Sequence, residues 1–286
     1  MYSKAITQQH RSAVIFCIDC STSMQELVEF NDVWMSKAEV VAMITNIMID
    51  ELYTRSSRHN RIRNYYDIAV IGYRGDSVEN LLDGEHIEFT PITALEKLSP
   101  KTRDYCFKQK LHDGTSIYAN FVVNEWITAK AEGRTPMYEA LIEAHRLVDE
   151  WCAIHSHRDS FPPMIFHITD GYANDGTPND LISIAQDIKN TGTTDGNTLL
   201  INVHIGSGED YCERSLLFPY QLDIHNSSSR MHTLYMMSSV APESIEHQLP
   251  PIEEPEVESS RRLVAYNISP CELFNIVNIG SESLKE

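Results

Sequence analysis

The chain has 286 residues, 42% hydrophobic and 22% charged, the balance of a globular protein able to bury a core as one large domain or two small ones. Its 41 Asp and Glu against 23 Lys and Arg give a formal net charge of −18, which argues against sequence-independent binding to nucleic acid or anionic lipid. Residues 1–12 are polar with no secretory signal, the apolar run after them is too short to cross a bilayer, and six scattered cysteines (Cys17, Cys20, Cys106, Cys152, Cys212, Cys271) lack a framework spacing, so reduced thiols and a cytoplasmic address are expected.

Residues 13–18, Ala-Val-Ile-Phe-Cys-Ile, read as a fully buried strand of a parallel sheet. The strand ends in Asp19-Cys20-Ser21-Thr22-Ser23, followed by an expected loop over 24–34. Ser36 and Glu39 form a capping-box pattern that predicts a helix to about Arg55, with Val40, Ile44, Ile47 and Met48 facing the sheet. Arg55, Arg58, Arg61 and Arg63 read as a solvated connection, and residues 65–73 as a second strand. Residues 77–82 and 86–90, around Asp83-Gly84, predict an antiparallel edge hairpin.

Between residues 91 and 132 the pattern gives only helix fragments, 92–98 and 117–124, and no clear strand. Pro136 then opens a helix through Trp151, followed by a buried strand over 163–169 that ends in Asp170-Gly171. A helix over 178–190, a strand over 198–205, a short helix within 211–219 and a last strand over 231–237 follow. The Pro- and Glu-rich residues 242–260 read as a linker, and Ser269 with Glu272 caps a C-terminal helix. Alternating strands and helices imply an α/β fold, a doubly wound and mostly parallel central sheet flanked by helices, with the domain spanning 1–240 and residues 241–286 as an appendage. Ligands in such sheets bind outside the carboxyl ends of the strands, where Asp19 and Asp170 both stand.

Asp19, Ser21 and Ser23 after the first strand, Thr135 at the head of a helix and Asp170 after a later strand offer two carboxylates and three hydroxyls. Such hard oxygens suit Mg²⁺ or Mn²⁺ without filling the coordination shell. The order Asp-x-Ser-x-Ser, Gly133-x-Thr-Pro-Met-x-x-Ala-Leu141 and Ile168-Thr-Asp-Gly-x-x-Asn-Asp175 resembles a von Willebrand factor A (VWA) domain with its metal-ion-dependent adhesion site, over roughly residues 12–240. The strings are most similar to bacterial cytosolic VWA proteins, including those associated with tellurite resistance.

The resemblance implies that Ser21 and Ser23 ligate the metal directly. Thr135 ligates directly or through water, and Asp19 and Asp170 chiefly through water. One position is left for a protein partner's Asp or Glu. It implies an interaction module serving as a regulatory or scaffold component of a stress-response system; no enzyme activity is expected, because no general base stands beside the site apart from Asp19 and Asp170 of the metal shell. The specificity loops are expected at 25–35 and 91–132. The alternative is a metal-dependent hydrolase or phosphatase using the same cation.

Other signals carry less. Cys17-x-x-Cys20 lies along a strand without a second pair for zinc, so core packing is expected. His145, His155 and His157 read as a solvated helix end, and Asp113-Gly-Thr-Ser116 as a turn.

Overall fold

The computed structural model describes residues 1–30, 32–59, 61–82, 84–110, 116–155, 160–206, 215–247, 249–250, 260–269 and 272–273. The elements in chain order are β1 (Ser12–Asp19), β2 (Leu27–Phe30), β3 (Val33–Ser36), α1 (Lys37–Ser56), β4 (Ser57–Arg58), β5 (Arg61–Ile62), β6 (Tyr66–Arg74), β7 (Ser77–Asn80) and β8 (Thr90–Pro91). These are followed by β9 (Lys101–Lys110), β10 (Ser116–Glu125), α2 (Met137–His155), β11 (Met164–Thr169), α3 (Pro178–Asn190), β12 (Leu199–Ile205), β13 (Leu216–Leu217), α4 (Ser229–Met237) and β14 (Val264–Ile268).

The central sheet runs β13-β14-β12-β11-β1-β6-β7, with β8 also on β6. Its interior pairs, β6 on β1, β1 on β11, β11 on β12 and β12 on β14, are parallel. The edge strands β7, β8 and β13 are antiparallel to their neighbours. This is the expected α/β fold with a mostly parallel sheet flanked by helices.

Alternate residues of β1 serve the two faces. Val14, Phe16 and Ile18 pack with α1, whereas Ala13, Ile15 and Cys17 pack with α2, α3 and α4. Because β6 lies on one side of β1 and β11 on the other, the chain changes winding direction at β1, and the ends of β1 and β11 open a crevice between them.

The predicted helix from Ser36 begins there with its capping box in place: Glu39 N–H donates to Ser36 Oγ at 3.2 Å and Ser36 N–H to Glu39 Oε2 at 3.0 Å. Its outer face is covered as well. β9 and β10 form an antiparallel pair laid over α1, where only helix fragments were expected. Asn46 exchanges hydrogen bonds with the backbone of Ile127, and Asp50 accepts from Asn124 and from Trp126 Nε1. A short apolar run such as 117–124 fits either period, and pairing with β9 decides it.

Further expectations change. The loop over 24–34 contains the β2–β3 hairpin. The edge hairpin is not formed around Asp83-Gly84; β7 turns back on β6 through Gly75, whose φ of +61° suits glycine. Residues 229–237 are helix, with Met231, Leu234 and Tyr235 buried at helical spacing and Ser228 as N-cap. Residues 216–217 are a strand on β14, and β14 itself joins the sheet, so the folded body runs past residue 240. His155 is not solvated: it is buried and stacked on Trp151. Asp113, His157, residues 211–214, most of the linker and the C-terminal helix beyond 273 lie outside the described residues.

One polar chain crosses the α2–α4 face of the sheet. Tyr73 O–H donates to His167 Nε2 (2.9 Å), and His167 Nδ1–H donates to Asn202 Oδ1 (2.7 Å). Asn202 Nδ2 donates to Ser238 Oγ (2.8 Å), which donates to Leu234 O (2.7 Å). Every donor has one acceptor, which assigns the proton of neutral His167 to Nδ1. Burial pushes the His167 pKa down to about 4, against the bond to Asn202.

The unfolded chain therefore binds an extra proton between about pH 6.5 and 4, and stability falls as pH drops through that window. A shift of that size is worth about 3 kcal/mol. Urea unfolding of His167→Gln between pH 7 and 4 is expected to show a shallower acid loss than wild type; parallel profiles would contradict it.

Candidate metal centre

Asp19 closes β1 and is fully buried. Its Oδ1 accepts from Ser21 N–H at 2.9 Å, and its Oδ2 accepts from Thr169 Oγ–H at 2.8 Å, a bond that joins the ends of β1 and β11. Thr169 Oγ in turn accepts from Gly171 N–H at 3.1 Å, shaping the turn that carries Asp170. Ser21 Oγ and Ser23 Oγ are 3.1 Å apart, and Ser23 Oγ–H donates to Asp170 Oδ1 at 2.6 Å.

Thr135 arrives from the loop before α2, and that loop is fastened on three sides. Thr22 N–H donates to Gly133 O (3.0 Å), Glu132 N–H to Cys20 O (2.8 Å) and Gly75 N–H to Arg134 O (3.0 Å). Gly133 has φ +77°, and a Cβ there would meet the Gly75 backbone at 2.7 Å, so the close approach needs glycine. From the other strand, Asn174 Oδ1 accepts from Thr135 N–H at 2.9 Å, and Asp175 accepts from the first turn of α2 at Tyr138 and Glu139. Asn174 and Asp175 thus hold the second loop against the third.

The three segments meet. A Cβ added at Gly171 would lie 3.7 Å from Ser23 Oγ, 3.8 Å from Asp19 Oδ2 and 3.9 Å from Thr135 Oγ1. With Ser21 beside Ser23 and Asp170 bonded to Ser23, all five residues singled out from the sequence surround one small space. Burial is the main cause that pushes the Asp19 pKa up to about 6, against hydrogen bonds from Ser21 and Thr169, and Asp170 pushes it the same way. An oxygen-lined space with an under-compensated buried carboxylate fits a hard dication. Among the described residues no group of three or more His, Cys, Asp or Glu is placed to hold a metal ion, so this space rests on two carboxylates and three hydroxyls.

Two charged neighbours were not singled out from the sequence. Lys37, 2% exposed, places Nζ 3.0 Å from Asp170 Oδ2 and 2.7 Å from Glu26 Oε2. Arg230 donates to His204 Nε2 at 2.8 Å, reaches Asp170 O at 3.5 Å and lies 3.9 Å over the ring of Tyr172. Lys37 stands out locally as a cation in the first turn of a helix, where it opposes the helix dipole, but its partner Asp170 is far along the chain.

No family model and no curated protein matches the sequence. Among solved structures the chain is similar to the von Willebrand factor domain of the type V pilus tip protein Mfa5 from Porphyromonas gingivalis, with TM-score 0.46 and 10% identity over 98% of this chain and 96% of that one. It is also similar to a von Willebrand factor type A protein from Catenulispora acidiphila, with TM-score 0.39 and 15% identity over 90% of this chain and 55% of that one. A structure of three N-terminal domains of Mfa5 gives TM-score 0.30 and 14% identity over 60% of this chain and 25% of that one. The chain spans about half the length of the second structure and about a quarter of the third. At these scores the fold and the site stand on the topology and distances above.

Thr169 was also missed, and its hydroxyl is the donor that satisfies Asp19 Oδ2. Thr169→Val keeps the shape and removes that donor, which is expected to cost about 1–3 kcal/mol in metal-free protein. An unchanged urea midpoint would show that Asp19 does not depend on it.

Proposed function

We propose that this chain is a VWA-type interaction module whose Asp19, Ser21, Ser23, Thr135 and Asp170 hold Mg²⁺ or Mn²⁺, and that the metal is completed by an acidic side chain of a protein partner. The observation that carries the reading is the convergence of Ser23, Asp19 and Thr135 oxygens within 4 Å of one point at Gly171. When bound, the cation supplies a Lewis-acidic centre at the mouth of the crevice. The hydroxyls and the two aspartates orient it, and a shell built on few carboxylates favours an anionic further ligand.

The surface around the site supports docking. The β2–β3 hairpin leaves Leu27 and Trp34 exposed beside the first loop. The net charge of −18 disfavours a nucleic-acid partner. Among the described residues no helix is long and apolar enough to cross a membrane.

We read the module as non-enzymatic. Glu26, a carboxylate next to the site, is tied to Lys37, while Asp19 and Asp170 belong to the proposed metal shell. The narrower likeness to bacterial proteins associated with tellurite resistance rests on the sequence strings, the role in a stress response is what that likeness implies, and the cytoplasmic address rests on the scattered cysteines.

The test is thermal. Mg²⁺ or Mn²⁺ at a hundredfold over its dissociation constant is expected to raise the wild-type melting temperature by about 5 °C. Asp19→Asn is expected to abolish the rise. So is Gly171→Ala, whose methyl meets its neighbours at ordinary contact distances and therefore folds, but stands in the shared space. An equal rise in all three proteins would place the metal elsewhere. Retention of a partner that needs the metal and is lost with Asp19→Asn tests the second half of the proposal.

A further inference from the structure

Lys37 is out of place as a helix residue. It occupies the first position of α1, where a positive charge opposes the dipole, and its side chain is 3% exposed. Burying an ammonium is costly unless it is paired, and here two carboxylates pair it, Glu26 at 2.7 Å and Asp170 at 3.0 Å. The backbone enforces the arrangement, because Lys37 N–H donates to Glu26 O at 2.9 Å and the Ser36–Glu39 box fixes the start of the helix.

Asp170 has no free side-chain oxygen as a result. Oδ1 accepts from Ser23 and Oδ2 from Lys37. A dication arriving among Ser23, Asp19 and Thr135 meets a carboxylate already shared with a fixed cation, and the two like charges compete for it. The site therefore offers the metal less negative charge than two aspartates suggest. A carboxylate from outside supplies the deficit.

We propose that Lys37 is a built-in competitor for the metal, holding Asp170 so that a dication binds weakly until an acidic partner residue joins it. The inference rests on the metal reading above and adds a consequence: metal and partner each tighten the binding of the other. Glu26 stands at the foot of the β2–β3 hairpin, so the same ammonium also ties the exposed Leu27 and Trp34 surface to the metal loop.

The experiment titrates Mn²⁺ alone into the full chain, reading free Mn²⁺ by electron paramagnetic resonance, for wild type, Lys37→Met and Lys37→Arg. Lys37→Met removes the charge and keeps the length; it is expected to bind Mn²⁺ about tenfold tighter or more, while Lys37→Arg stays near wild type. Acetate, standing for the partner carboxylate, is expected to tighten Mn²⁺ binding more in wild type than in Lys37→Met. Should Lys37→Met not melt cooperatively, Lys37→Gln replaces it, with the same expected gain.

Equal or weaker binding by the uncharged variant, or an equal gain in Lys37→Arg, overturns the role of Lys37 and leaves the metal site standing. If none of the proteins binds Mn²⁺, the metal reading falls and this inference falls with it.

Discussion

The constraint on which the site depends is electrostatic: Asp19 and Asp170 are brought together in a crevice where both are buried. Two carboxylates so placed repel, and each loses its hydration. The structure offsets this with donors. Thr169 and Ser21 N–H serve Asp19, and Ser23 and Lys37 serve Asp170. Asp19 still keeps a raised pKa, which marks compensation that stops short. Buried carboxylates whose compensation stops short gather at functional sites.

The sheet makes the encounter possible. Reversal of winding at β1 leaves the ends of β1 and β11 adjacent, and the Thr169–Asp19 and Ser23–Asp170 bonds tie them and their following loops together. Thr135 comes from outside that pair. Its loop is pinned by backbone hydrogen bonds to the first loop and to the β6–β7 turn, with Asn174 and Asp175 reaching over from the third segment. Hydrogen-bonded loops at strand and helix ends thus hold every oxygen, and positioning does not depend on long side chains.

Much of this was legible in the sequence, for physical reasons. Continuous apolar runs such as 13–18 and 163–169 have few alternatives to a buried strand, and the Ser36–Glu39 box marks a helix start unambiguously. The candidate carboxylates sit directly after those strands, so a correct reading of the strands also located Asp19 and Asp170. Residues 117–124 and 231–237 failed because short apolar runs fit both periods, and tertiary pairing chose between them. Val264–Ile268, a short strand run behind the Pro- and Glu-rich stretch before residue 260, is too brief to mark itself as part of the sheet that it joins beside β12. Lys37 was hidden differently: nothing in its sequence neighbourhood reports that Asp170, far along the chain, will face it.

The central claim is that one dication sits among the five residues. Anomalous diffraction from a crystal of the full chain grown with Mn²⁺ tests it most directly. The account predicts a single strong peak in the space between Ser23, Asp19 and Thr135, absent from Asp19→Asn crystals grown identically. A wild-type map with no peak there, or a peak elsewhere while that space holds only solvent, would contradict it.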